Sequence, residues 1–338
     1  MVGMIPVKIR DSRNSYTFEL KRNITVLCGD SGRGKTTLFE MVEDFNRYGK
    51  SSATKISCNC DIIALRGRDW REQIEAITDS IVIIDEDSDF IRSKEFAETV
   101  LKSNNYFLLI TRTYLHQLPL SVREIYELTG NKNKKFKRVY LDRDDMYEAT
   151  VLRAFPFHPD VIVTEDSGTG HQFFAALAEK MGAECVSANG KSNIYRMISA
   201  IEEKNVLVIA DGAAFGAEIR DIVERQRLYP GRLGIFLPES FEWLILKSGL
   251  VSDPGWEKIA VPELFVDSAQ YPSWERYFTA LLVETTRDMK YKRYPKTKGK
   301  LPAFYTQNKS LGKVKESIPG VAFESYNSAF LDVPEEIK

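Results

Sequence analysis

Short apolar runs punctuate the first 150 residues of the chain: "ITVLC", "DIIAL", "SIVIIDED" and "YFLLITR". They alternate with polar stretches whose apolar residues recur at helical spacing, as in "TTLFEMVEDF". A strand covered on both faces reads as a continuous apolar run, so this alternation predicts a mostly parallel sheet with helices packed on it. The turn-rich, highly charged segment "GNKNKKFKRVYLDRDD", residues 130–145, marks a domain edge. A second series opens at "DVIVTED" and runs through "AECVSANGKS" and "NVLVIADGAAFG" to "RLGIFLPES". The expected fold class is therefore α/β, with two successive sheet domains over residues 1–145 and 146–285. Beyond residue 285, "TRDMKYKRYPKTKGKLPAFY" loses the apolar periodicity and gathers Lys, Arg and Pro. The stretch 286–338 reads as an extended or loosely ordered basic tail, and no solenoid-type repeat is visible.

Composition adds little to this division and removes several function classes. A chain of 338 residues is long for one compact core, in keeping with two domains. Lys and Arg number 47 against 48 Asp and Glu, so the whole molecule has no strong pull toward polyanions; a nucleic-acid surface would be a local patch. Cys28, Cys58, Cys60 and Cys185 form no repeated CxxC pair, and with three His residues they complete no zinc pattern. No apolar run approaches the ~20 residues that span a bilayer and no signal-peptide core is seen, so a cytoplasmic protein without membrane contact is expected.

The strongest chemical signal is Gly29-Asp30-Ser31-Gly32-Arg33-Gly34-Lys35-Thr36, followed by Thr37, between a predicted strand and a predicted helix. It fits GxxxxGK[ST] in the context that a phosphate-binding loop requires. Its glycines let backbone N–H groups curl around phosphate oxygens, and the helix N-terminus adds a favourable dipole. Lys35 would reach the β- and γ-phosphates of ATP and Thr36 would ligate Mg²⁺. "SIVIIDED" supplies a companion: Asp85 would hold the hydrated Mg²⁺ and Glu86 would orient or deprotonate the attacking water. The next strand ends in Thr111-Arg112, either of which is a candidate sensor of the γ-phosphate.

These residues carry a resemblance. "NITVLCGDSGRGKTTLFEMV", "SIVIIDED" and "LLITR" look like the ATPase core of the ABC and SMC-related family over residues 5–140, with "PVKIRD" and "SYTFEL" as the hairpin before the loop strand. Only fifty positions separate Lys35 from Asp85, too few for that family's helical subdomain, and no LSGGQ-like signature appears. Arg112 stands where that family has its switch histidine. The resemblance thus implies a minimal ATPase in which nucleotide binding is better supported than turnover.

In the second series Glu165 and Asp166 end one strand, a Gly190-Lys191-Ser192 turn ends the next, and Asp211 ends a third. In a parallel sheet such ends share one edge, where clustered carboxylates call for a cation such as Mg²⁺. The order resembles the Toprim domain of topoisomerases, primases and ATPase-linked nucleases over residues 158–250. The resemblance implies Glu165 as general acid or base and Asp211 as a Mg²⁺ ligand. The second ligand of its DxD pair falls on Ala213; Asp166, which stands in place of the family's Gly after the Glu, would restore the missing charge, and Glu242 lies where some Toprim nucleases keep an additional metal ligand. His171 is either a base beside Glu165 or a polar surface residue.

Between Arg287 and Lys300 seven basic residues interleave with Tyr291 and Tyr294, which reads either as a nucleic-acid contact or as a solvated tail. Trp243, Trp256 and Trp274 are expected to pack in the core or between domains. The leading expectation is a Mg²⁺-ATP-binding protein, a slow ATPase whose nucleotide state controls a Toprim-like, nucleic-acid-directed domain. This architecture resembles the ATPase-Toprim nucleases of the overcoming-lysogenization-defect type, found in mobile-element and phage-defence systems. Two alternatives stay open: a non-enzymatic ATP-dependent switch with a catalytically inactive Toprim-like domain, in which ATP changes affinity for a partner protein or DNA, and a P-loop kinase using Lys132–Arg138 as a phosphate-closing lid; a homo-oligomer or a partner protein is a further expectation.

Overall fold

The computed structural model describes residues 1–140, 150–151, 158–229, 231–295 and 299–318, the pair 150–151 by its backbone alone. The predicted domain edge between 145 and 146 and the tail beyond 318 lie outside these residues. The chain divides into two compact units, neither of them one continuous stretch. The first gathers Met1–Tyr147, Asp211–Arg220 and Pro254–Leu281; the second gathers Glu148–Ala210, Asp221–Asp253 and Leu282–Lys338. Both are α/β.

The first unit is built on nine strands: β1 (Ile5–Arg10), β2 (Ser15–Leu20), β3 (Ile24–Cys28), β4 (Lys55–Ser57), β5 (Ile62–Leu65), β6 (Ile81–Ile84), β7 (Tyr106–Ile110), β8 (Ile125–Thr129) and β9 (Asn133–Arg138), in the order β4-β1-β2-β9-β8-β3-β7-β6-β5. β8, β3, β7, β6 and β5 are mutually parallel. Every residue of β6, "IVII", and of β7, "YFLLI", is buried, as expected for interior parallel strands covered on both faces. β1 and β2 form an antiparallel hairpin whose alternating burial leaves one face in water. Its inner face carries Phe18, stacked on Phe136 of β9 with ring centroids 4.2 Å apart. Helix α1 (Lys35–Tyr48) turns Leu38, Phe39, Met41 and Val42 inward and packs on β5 and β1. Helices α2 (Trp70–Ala76) and α3 (Lys94–Val100) pack on each other.

β9 corrects one expectation. The basic run Lys132–Arg138 does not close over a site as a kinase lid would, because β9 is hydrogen-bonded to β2 on one side and β8 on the other. Alternate residues of "NKKFKR" are half-buried on one face, so an apolar anchor at Phe136 turns a charged segment into a sheet strand.

The second unit holds a smaller sheet of β10 (Thr150–Val151), β11 (Val161–Thr164), β12 (Glu184–Ser187), β13 (Val206–Ile209) and β14 (Leu233–Leu237), ordered β10-β14-β13-β11-β12. β11 to β14 are parallel, and only β10 runs against its neighbour. The connections carry α4 (Thr169–Met181), α5 (Ile194–Ala200), α6 (Ile219–Leu228) and α7 (Phe241–Lys247). Of the later helices, α8 (Glu257–Ala260) and most of α9 (Trp274–Thr285) fall in the first unit and α10 (Asn308–Lys315) in the second. The tail is not loosely ordered where it is described. Leu301, Tyr305, Leu311 and Val314 are buried, and the tight turn Ala303–Thr306 packs on α4. These few apolar side chains sit between lysines, which hides their stripe in the sequence. Trp243 and Trp274 are buried as expected, whereas Trp256 is exposed. No helix among the described residues is long and apolar enough to cross a membrane.

Candidate functional site

The C-terminal ends of β3, β7 and β6 lie along one edge of the first sheet, because the three strands are parallel and adjacent. Chain order alone puts the Gly-rich loop after β3, Thr111-Arg112 after β7 and Asp85-Glu86 after β6. In open parallel sheets this edge is where ligands bind.

Three loop glycines, Gly29, Gly32 and Gly34, have φ of 101°, 78° and 100°, a region that other residues enter at a cost. At Gly34 space is restricted as well. A Cβ there would lie 2.9 Å from both the Tyr16 hydroxyl and Cε of Lys134, and the Tyr16 hydroxyl donates to the Gly34 carbonyl at 2.7 Å. Lys35 is buried and folds its ammonium back onto the loop, donating to the carbonyls of Gly29 and Asp30 at 2.7 and 2.8 Å. Burial, and then repulsion from Arg112, lower its pKa from the usual lysine value. A phosphate would relieve both effects, since it offers this cation a partner. Thr36 is exposed and Thr37 half-buried in the first turn of α1.

Asp85 is only 1 % exposed. Burial raises its pKa; one oxygen accepts the Glu86 N–H at 2.9 Å and the other lies 3.9 Å from the Arg66 guanidinium. An ionised carboxylate in such a place wants a close cation. Its carboxylate and the Thr36 hydroxyl are hard oxygen donors, the chemical class that Mg²⁺ takes as ligands. Arg112 ties the site together. Its Nη2 donates to the Ser31 hydroxyl at 2.6 Å, and its Nε lies 3.3 Å from the Glu86 carboxylate. Thr111 is buried, and its hydroxyl accepts the Thr113 N–H at 3.0 Å, so Arg112 is the member of the pair that faces the loop.

In the second unit the C-terminal ends of β11, β12 and β13 likewise share an edge. The Glu165 carbonyl accepts the Gly190 N–H at 2.8 Å, which holds the Gly190-Lys191 turn beside the end of β11. Asp166 accepts the Gly168 N–H at 2.9 Å just before α4. Asp211, which packs with the first unit, comes after β13 with Ala210 between, and its carbonyl accepts the Ala214 N–H at 2.9 Å. Glu242, in the first turn of α7, accepts a 2.7 Å hydrogen bond from the Tyr294 hydroxyl, which is itself 2.5 Å from the Thr169 hydroxyl. Since Tyr294 donates to Glu242, Thr169 donates to Tyr294. Burial above all, with the Asp166 charge adding to it, raises the Glu242 pKa. Among the described residues no three His, Cys, Asp or Glu side chains converge closely enough to hold a metal. His171 is held by the Thr164 hydroxyl, 2.8 Å from its Nδ1. Tyr294 is 2 % exposed and cannot stack on a base, whereas Tyr291 is 77 % exposed.

Comparison with known protein families and with curated proteins finds no match to this chain. Sequence reasoning missed the support that Tyr16, Arg66 and Tyr294 give to these positions. Arg66 had a readable signal, since it directly follows the apolar run "IIAL" of β5, the neighbour of β6. Tyr16 and Tyr294 had none, as their partners are remote in sequence.

Proposed function

We propose that this chain is a Mg²⁺-ATP-binding protein, a slow ATPase whose nucleotide state controls a Toprim-like, nucleic-acid-directed second unit. The observation that carries the reading is the convergence of the Gly-rich loop, Asp85-Glu86 and Arg112 on one strand edge, with β7 between β3 and β6. The loop amides and Lys35 would take the phosphates, Thr36 and Asp85 would hold Mg²⁺, and Glu86 would orient water. Arg112, bonded to both Ser31 and Glu86, would sense an arriving phosphate through the loss of these contacts.

Control of the second unit is supported by the segment Asp211–Arg220, which continues directly from β13 yet packs as part of the first unit. The loop after β7 grips it. Gly216 N–H donates to the Leu120 carbonyl at 2.7 Å, Val122 N–H donates to the Gly212 carbonyl at 2.9 Å, and His116 Nδ1 lies 3.2 Å from Glu218. A Cβ on Gly216 would come within 2.7 Å of Leu120, so only glycine allows this approach. A shift of Arg112 is thereby linked along one loop to the chain bearing Asp211 and Ala213.

The test is purified protein with ATP, Mg²⁺ and plasmid DNA, following nucleotide binding, phosphate release and nicking together. ATP binding that disappears in Lys35→Ala and slow phosphate release that disappears in Glu86→Gln are the expected results. Absence of ATP binding by the wild-type chain overturns the reading. A non-enzymatic switch is the second reading, favoured by the Arg112–Glu86 ion pair, which occupies the water-orienting group. Its signature is tight ATP binding with phosphate release unchanged by Glu86→Gln. Any metal-dependent nicking should vanish in both Glu165→Ala and Asp211→Ala.

A further inference from the structure

The outer face of the β4-β1-β2-β9 sheet carries a concentration of positive charge that the nucleotide site does not use. Strand register determines which side chains share that face. Arg10 of β1 lies opposite Lys55 of β4 and Ser15 of β2, Lys8 lies opposite Thr17, and Thr17 lies opposite Lys135 of β9. Directly opposed residues point to the same side, so these side chains form one surface. Lys8, Arg10, Lys55 and Lys135 are exposed, while Val7, Ile9, Tyr16 and Phe18 between them are buried on the inner face. The turn before β9 adds exposed Lys132, whose carbonyl accepts the Ser15 N–H at 2.9 Å.

None of these five cations has a carboxylate within ion-pair distance among the described residues. The acids nearby are otherwise disposed. Asp11 accepts the N–H groups of Arg13 and Asn14 in its own turn, Glu19 lies opposite Pro6 at the far end, and Glu127 lies opposite Lys137. Neighbouring strands are ~4.8 Å apart and alternate residues ~7 Å apart, so each cation sits within about one Debye length of the next along the face. They act as a single charged surface in a chain whose net charge is -1.

We propose that this face binds the phosphate backbone of duplex nucleic acid without reading its sequence. A polyanion relieves the mutual repulsion of the cations and gains entropy by releasing its own counterions. A membrane surface fits less well, because no large exposed apolar side chain belongs to β1, β2, β4 or β9 and nothing there would enter lipid. The same lack of exposed aromatic rings removes the stacking platform that single strands use. Contacts of this kind position a duplex and carry no base information. The inference is independent of the ATPase reading, since no residue of the Gly-rich loop takes part.

The experiment measures fluorescence anisotropy of a labelled random-sequence duplex with the full chain over a salt series, beside two double variants. Arg10→Glu/Lys135→Glu should bind at least about tenfold more weakly than wild type and lower the slope of log affinity against log salt by roughly 2. Lys290→Glu/Lys300→Glu, in the C-terminal basic segment, should bind as wild type does. Thermal unfolding checks that both are folded, and Arg10→Gln/Lys135→Gln is read instead if the charge reversal is not. The proposal is overturned if wild type shows no salt-dependent binding, or if the C-terminal variant loses binding while the sheet variant keeps it. It is equally overturned if vesicles of anionic phospholipid bind as tightly as the duplex and compete with it.

Discussion

Glu242 and Tyr294 are a residue-scale pair that no spacing rule could have joined, being 52 positions apart. The carboxyl is buried with Asp166 nearby, and its pKa lies above the ordinary 4.5. A raised carboxyl pKa means that, between the unfolded and folded values, the folded state holds a proton that the unfolded state has released. Stability from this group is thus fully present below pH 4.5 and is lost as pH rises through the folded value. In Glu242→Gln the amide oxygen still accepts from Tyr294 but no longer ionises. Urea unfolding with EDTA present should find the variant equal to wild type in mild acid and the more stable of the two at neutral pH. Wild type gaining on the variant as pH rises would show that the carboxylate is stabilised there. Arg112 makes a related point about legibility. Its position at a strand end could be read from "LLITR", but its contact with Ser31, 81 positions away, could not.

At the scale of elements, the parallel strands were legible because a strand covered on both faces must be apolar throughout, as "IVII" and "YFLLI" are. β9 was not, because five of the six residues of "NKKFKR" are polar and only Phe136 anchors it. As an interior strand, β9 should contribute to the cooperative core. Phe136→Ala, which removes the stack on Phe18 from a half-buried position, should cost about 2 kcal/mol in urea unfolding. Unchanged stability would mean that β9 is not part of the folded sheet. The α10 region was misread for a similar reason, since Leu311 and Val314 are too few to impose a visible period on a lysine-rich helix.

At the scale of the molecule, the first unit is completed by chain that lies far downstream. The guanidinium of Arg22 sits 3.5 Å from the centre of the Trp274 ring and 3.4 Å from Glu124, which is fully buried. The Asn23 side chain donates to the Pro272 carbonyl at 2.6 Å. A fragment ending at Tyr147 therefore lacks the partners of its own buried groups. It should bind a hydrophobic dye and unfold without a sharp transition, whereas the full chain unfolds cooperatively; a sharply melting fragment would contradict this. The sequence by itself determined the α/β class, the Gly-rich loop and the acids at the strand ends. These depend on local rules: apolar periodicity, glycine's freedom at positive φ, and the order of strand and helix. Only the tertiary structure decided that β7 lies between β3 and β6, that Lys132–Arg138 is a strand, and that Asp211–Arg220 belongs to the first unit. Each of these depends on which distant segments bury one another. Such pairing reflects the summed packing of both partners, and neither stretch of sequence carries it alone.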